Sequence, residues 1–202
     1  MTWRVLSVAA LAAAMCAASP ALACKGQNVL FEDNFTDDSN WGDISQYGGT
    51  IANGALKLTA KKGYVMRFLY QGDSFDKADI CVDVTESTAG DTGGGLIFAA
   101  ADYNSYYYLW MNPAGLAGVA RLNNNKWLYP VPGRKVPGSG QKFTLRLTLN
   151  GARATAYVND RKLADFKVTS PEGGGFIGVE GDSDAQNDVS WSFSNLKVTD
   201  LP

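Results

Sequence analysis

The sequence predicts an all-β protein, an antiparallel jelly-roll sandwich of two curved sheets, and three observations predict it. About a dozen short stretches alternate apolar and polar residues with the period of a strand. Asn-Gly, Asn-Pro and Gly-rich clusters separate them at hairpin spacing. No stretch after the apolar N-terminal segment holds a helical period over three turns. Sheets of this kind bury one face each, and two of them stacked close most economically as a jelly roll.

Residues 29–31 form a first strand, followed by a polar loop that Phe35 and Trp41 anchor to the core. Residues 49–52 and 55–60 flank Asn53-Gly54, a strong two-residue hairpin signal, and strands follow over 64–70 and 75–85. Within the last, Ile80, Val82 and Val84 take one face and Cys81 the other. Four consecutive strands come next, 94–100, 105–111, 115–122 and 126–129, split by Asp-Tyr-Asn, Asn-Pro-Ala-Gly and Asn-Asn-Asn turns. The proline-rich run from Pro130 to Gln141 has no period and reads as a loop crossing between sheets or rimming a binding face. Arg134 and Lys135 at its tip read as solvated charges. Residues 142–149 and 152–158 form the clearest hairpin, around Asn150-Gly151, with Phe143, Leu145, Leu147 and Leu149 facing a core. Strands over 162–168, 173–181 and 189–199 complete the chain, and a change of phase between Phe193 and Leu196 predicts a bulge.

Residues 1–23 read as a cleaved export signal: Arg4 precedes an apolar, Ala-rich run, and Ala21-Leu22-Ala23 offers the small residues that a signal peptidase reads. The run is too short for a convincing membrane span, and no later segment is long enough. Residues 24–202 are then a single domain, periplasmic or secreted, and we expect a monomer. Cys24 and Cys81 remain in it. In an oxidising compartment they can pair as a disulfide tying the new N-terminus to the strand around Cys81. The rival reading is lipidation of Cys24, against which Ala21 and Leu22 stand in the wrong order. A net charge of −2 leaves no basic stripe for nucleic acid, and the absence of histidine removes His-dependent triads and imidazole acid–base chemistry.

The most informative stretch is GGGLIFAAADYNSYYYLWMNPAGLAGVARLNNNKWLYP, residues 93–130. Alternation puts Tyr106, Tyr108 and Trp110 on one face of a strand and Tyr107, Leu109 and Met111 on the other. A row of aromatics with polar tips suits stacking on sugar rings, with Asn112, Arg121 and Trp127 nearby to bond hydroxyls or add a further ring. These six residues are the expected carbohydrate site. The opposing reading is ordinary cross-strand packing, and a one-residue slip of the strand would exchange the two sets. No residue is assigned a catalytic or metal-binding role. Asp33, Asn34, Asp37 and Asp38 make an oxygen-rich loop of the kind calcium needs, so calcium is the one candidate cofactor, although solvated turns look the same. Glu180, Asp182, Asp184 and Asp188 form the densest acidic cluster, which reads either as an acid–base pair beside a strand end or, preferably, as a solvated turn.

The order FEDNFTDDSNW, GGGLIFAAADYNSYYYLWMN, FTLRLTLNGARATAYVNDRKLADF and GGFIGVEGDSDAQNDVSWSFSNLKV resembles the concanavalin A-like lectin/glucanase superfamily, nearest to bacterial exported domains of the 3-keto-disaccharide hydrolase, laminin G-like type. The resemblance implies a curved jelly roll whose concave sheet takes carbohydrate. Retaining glucanases of that superfamily carry a Glu-x-Asp-x-(x)-Glu strand, which none of Glu32, Glu86, Glu172 and Glu180 begins. The expectation is therefore an exported, non-catalytic, lectin-like carbohydrate-binding domain. The alternatives are a glycoside or 3-keto-glycoside hydrolase or lyase using Asp or Glu, and an envelope structural or adhesive module.

Overall fold

The structure, a computed structural model, describes residues 24–86, 92–137 and 140–202. The expected export signal at residues 1–23 lies outside the described residues. The strands are β1 (Val29–Asp33), β2 (Gly49–Ile51), β3 (Leu56–Ala60), β4 (Val65–Leu69), β5 (Lys77–Glu86), β6 (Gly94–Asp102), β7 (Ser105–Met111), β8 (Leu116–Asn123), β9 (Lys126–Lys135), β10 (Lys142–Asn150), β11 (Arg153–Val158), β12 (Arg161–Lys167), β13 (Phe176–Asp182) and β14 (Val189–Thr199). One short 3-10 turn, Ile44–Tyr47, was not anticipated; it buries Ile44 in the loop that Phe35 and Trp41 also anchor. No helix among the described residues is long and apolar enough to cross a membrane.

The strands pair antiparallel in two sheets. An eight-stranded sheet runs β12-β11-β10-β5-β14-β3-β2, with β1 also on β14, and a six-stranded sheet runs β4-β13-β6-β7-β8-β9. The expected bulge explains how β14 serves two partners along one side. Its register against β5 shifts between Ser194 and Lys197, and Asn195 takes a positive φ of 53°. The part before the bulge pairs with β3 and the part after it with β1.

Alternating side chains of both sheets meet between them. Ile80, Val82, Val84, Leu145, Leu147, Trp191 and Phe193 from one sheet pack in one core cluster with Leu96, Phe98, Tyr107, Leu109, Met111, Val119 and Val179 from the other. Each fully buried aliphatic or aromatic side chain of this kind contributes roughly 1.5–3 kcal/mol. Tyr107, Leu109 and Met111 thus point into the sandwich, and Tyr106, Tyr108 and Trp110 point away from it.

Two expectations change. The run after Pro130 is strand, not loop: β9 continues through Pro130 and Pro132 to Lys135. It is an edge strand, where a residue without an N–H leaves no ladder partner unsatisfied, and its register against β8 shifts twice on the way. Cys24 is bonded to Cys81 with their Cα atoms 5.7 Å apart, so the Cys24 sulfur is committed to the disulfide and not available for a lipid.

Candidate functional site: an aromatic groove with a buried carboxyl pair

The outward face of the six-stranded sheet has its own cluster of buried residues, Leu69, Ile97, Ala100, Tyr106, Tyr108, Ala120 and Leu122, with Trp110 and Phe176 packed against it. Register explains the arrangement. Trp110 lies opposite Gly95 on β6 and Gly118 on β8. Glu180 lies on the far side of Gly95, and Arg67 lies beyond Glu180. One row across the sheet therefore reads Arg67, Glu180, Gly95, Trp110, Gly118, with Asp182 beside Val65 one step along. The glycines matter here. A Cβ on Gly118 would come within 3.0 Å of the Trp110 ring and one on Gly133 within 2.9 Å, so the benzo end of the indole rests directly on the backbones of β8 and β9.

Above this floor is a groove of about 300 Å³ lined by Val65, Tyr108, Trp110, Ala120, Trp127, Tyr129, Glu180 and Asp182. A second lobe of about 410 Å³ shares Val65 and Trp127 with it and adds Arg67, Tyr103, Asn104, Leu122 and Asn125. Tyr129 and Trp127 are exposed. Tyr106 is buried beneath Trp127, edge to face at 6.0 Å, with the Arg67 guanidinium over its ring at 5.3 Å. Tyr106 and Tyr108 are only 1% and 3% exposed, so they form the floor and not the contact surface.

Glu180 is fully buried. Its Oε2 accepts the Tyr106 hydroxyl at 2.6 Å and lies 3.7 Å from Arg67 Nε. Arg67 Nη1 in turn donates to the Tyr106 hydroxyl at 2.7 Å. Glu180 Oε1 and Asp182 Oδ1 are both buried and have no hydrogen-bond partner among the described residues. Burial pushes the Glu180 carboxyl up to about 8, Asp182 adding to the rise and Arg67 and Tyr106 opposing it. Burial likewise pushes Asp182 up to about 7 against the pull of Arg67. Burial first, and then Glu180, holds the Tyr106 hydroxyl well above its ordinary range.

These shifts carry a sign. Folded, both carboxyls bind protons more tightly than unfolded, so their stabilising contribution is complete below the ordinary carboxyl range and is lost as pH rises through about 7 and about 8. Unfolding free energy should fall by on the order of 2 kcal/mol between about pH 5 and pH 9. Glu180→Gln should flatten that slope in denaturant titrations at the two pH values, and an unchanged slope would refute the assignment. The exposed carboxyls of Asp37, Asp43, Asp165, Asp184, Asp188 and Asp200 are shifted downward. They titrate below this window.

Of the expected site residues, the structure brings Tyr106, Tyr108, Trp110 and Trp127 together. Asn112 and Arg121 are elsewhere. Asn112 is buried, its Oδ1 accepting the Leu116 N–H at 2.9 Å across the turn between β7 and β8. Arg121 lies opposite Tyr107 in register and 5.1 Å over its ring, which puts it on the core side of the sheet, by a separate hollow that includes Thr169 and Ser170. Arg67 and Tyr129 were missed, although same-face spacing pairs Arg67 with Val65 and Tyr129 with Trp127. The acidic cluster divides. Asp184 caps a turn through the Gln186 and Asn187 N–H groups and Asp188 pairs with Lys61, as a solvated turn requires. Glu180 and Asp182 are on the strand, where the turn reading fails because both project into the groove. In the early acidic loop, Asp33 accepts the Phe35 N–H and Trp41 Nε1, and Asp37 accepts from Ser39, so both carboxylates are engaged by the loop itself.

The largest hollow, about 600 Å³, is on the outer face of the other sheet, lined by Arg146, Tyr157, Asp165 and the C-terminal Leu201 and Pro202 among others. None of its side chains is among the buried polar atoms left without a partner, so the six-stranded face is the stronger candidate.

No family model matches the chain, and no curated protein matches it in sequence. Solved structures do match it in shape. The carbohydrate-binding module CBM66 from Bacillus subtilis superposes with a TM-score of 0.59 at 19% identity, over 71% of this chain and 86% of that one. LamAcat from Zobellia galactanivorans gives 0.58 at 13% identity, over 85% and 97%. The GH43 protein BlXynB from Bacillus licheniformis gives 0.63 at 13% identity over 84% of this chain but only 39% of its own. At such identities the likeness speaks for architecture, and with the sheet order above it shows that this chain has the concanavalin A-like jelly-roll fold.

Proposed function

We propose that the protein is an exported carbohydrate-binding domain that takes its ligand in the groove on the six-stranded sheet. The observation that carries this reading is Trp110, half-buried and resting on Gly118 and Gly133, with Trp127 and Tyr129 beside it and buried carboxyl oxygens within the same groove. Indole faces held in place lose little freedom on stacking against a sugar ring, and carboxyls with free lone pairs accept its hydroxyls. The disulfide agrees with an oxidising compartment. A glycan array, run with and without calcium, tests the proposal. Trp110→Ala should cost about 2 kcal/mol, roughly thirtyfold in Kd, as central aromatic anchors do. Silence across the array, or binding indifferent to Trp110→Ala, would overturn it.

A second reading is favoured by Glu180 specifically. A buried carboxyl that keeps its proton near neutral pH, beside a second carboxyl in an open groove, has what a general acid needs. On this reading the groove cleaves a glycoside, and Glu180→Gln abolishes turnover while leaving binding in place.

A further inference from the structure

We propose that the Glu180–Asp182 pair receives the ammonium group of an amino sugar. This inference rests on the carbohydrate-binding reading and names the ligand class for that groove. Glu180 and Asp182 are two residues apart on one strand face, and each aims one buried, partnerless oxygen at the same groove. Arg67 is the one basic group acting on either carboxyl, so two acids face one cation. The other elements around the pair add no charge of the missing sign. Tyr106 and Tyr108 from β7 are neutral, β8 offers Ala120 and Gly118, and β9 offers Trp127 and Tyr129.

A neutral sugar hydroxyl brings one donor and no charge. An ammonium brings three donors and the positive charge the pair lacks, and it displaces the proton that burial otherwise holds there. The aromatic walls favour the same ligand, because a cation beside indole and phenol faces is attracted by their quadrupoles. The Trp110 platform then takes the apolar face of the sugar ring and the carboxyl pair takes its amino substituent.

The test compares three β-1,4-linked oligomers that differ only at C2, those of glucosamine, N-acetylglucosamine and glucose, titrated calorimetrically at near-physiological salt into the purified, disulfide-bonded protein. The glucosamine oligomer should bind at least about tenfold more tightly than the other two, the scale of a charge-assisted hydrogen bond. That preference should vanish in the Glu180→Gln/Asp182→Asn variant. Asp182→Asn alone, which leaves the Glu180–Tyr106 bond intact, should reduce it, and it serves as the second variant if the double one fails to fold. Trp110-dependent binding of the neutral oligomers with no preference for glucosamine would overturn this inference and leave the carbohydrate reading standing. A preference that survives both variants would overturn the role of the pair. Failure of all three oligomers together with a silent glycan array would overturn the carbohydrate reading itself.

Discussion

Arg146→Met should lower the unfolding free energy by about 3–5 kcal/mol, the cost of leaving a buried charge without its partner. Arg146 projects from β10 on the outer face of the eight-stranded sheet, opposite Cys81 in register. Its Nε donates to Asp79 Oδ1 at 2.7 Å and its Nη2 to Asp79 Oδ2 at 2.9 Å, a two-pronged pair in which Asp79 is fully buried and Arg146 is 5% exposed. The guanidinium also stacks over Tyr157 at 4.7 Å. Asp79 has one further donor, the Lys25 N–H at 2.8 Å, which cannot replace a guanidinium. Met keeps most of the apolar stem of Arg146, so the loss reports mainly the orphaned carboxylate. At this chain length the expected fall in Tm is roughly 6–20 °C. The double variant Asp79→Asn/Arg146→Met should recover much of the loss, because removing both charges removes the desolvation problem along with the attraction. A single variant within 1 kcal/mol of the parent in urea unfolding would show that water or a proton already compensates Asp79.

How much of this was legible in the sequence depends on which residues each signal needs. Alternation is a local signal, and it placed β7 and β14 with their observed bounds and set Leu145 and Leu147 against a core. Local turn chemistry placed Asn53 and Gly54, both at positive φ, at a hairpin. The limits come from what neighbouring strands decide. Alternation divides Tyr106, Tyr108 and Trp110 from Tyr107, Leu109 and Met111, but only the pairing of β7 with β6 and β8 determines which set faces the other sheet. Arg121 failed for the same reason: its register partner is Tyr107, so it follows the core-side set. The prolines of β9 imitate a loop, since only its place at the sheet edge makes Pro130 and Pro132 tolerable. Composition also misled at Glu180 to Asp188. A run of four acids looks like one solvated turn, yet the strand ends at Asp182 and leaves two of them buried in the groove and two outside.

Reducing the Cys24–Cys81 bond should cost about 4 kcal/mol, the loop-closure entropy of a cross-link spanning this separation, with 57 residues between the two positions. The segment it tethers is otherwise held by the short β1–β14 ladder and the Lys25–Asp79 bond. The effect should reside mainly in the unfolded chain, so guanidinium unfolding with and without a reductant should show a lower midpoint in the reduced protein, and coincident midpoints would refute the entropic account. The location of the bond makes a sharper demand. Cys81 is on the outer face of β5, and the inter-sheet core separates that face from the groove over β13, β6 and β7. At temperatures where the reduced protein stays folded, ligand affinity should therefore match that of the oxidised protein within about twofold, the scale on which distant sites behave independently. A loss of affinity on reduction would mean that the two faces of the sandwich are mechanically coupled through β14, whose bulge at Asn195 lies between its β1-paired and β3-paired halves.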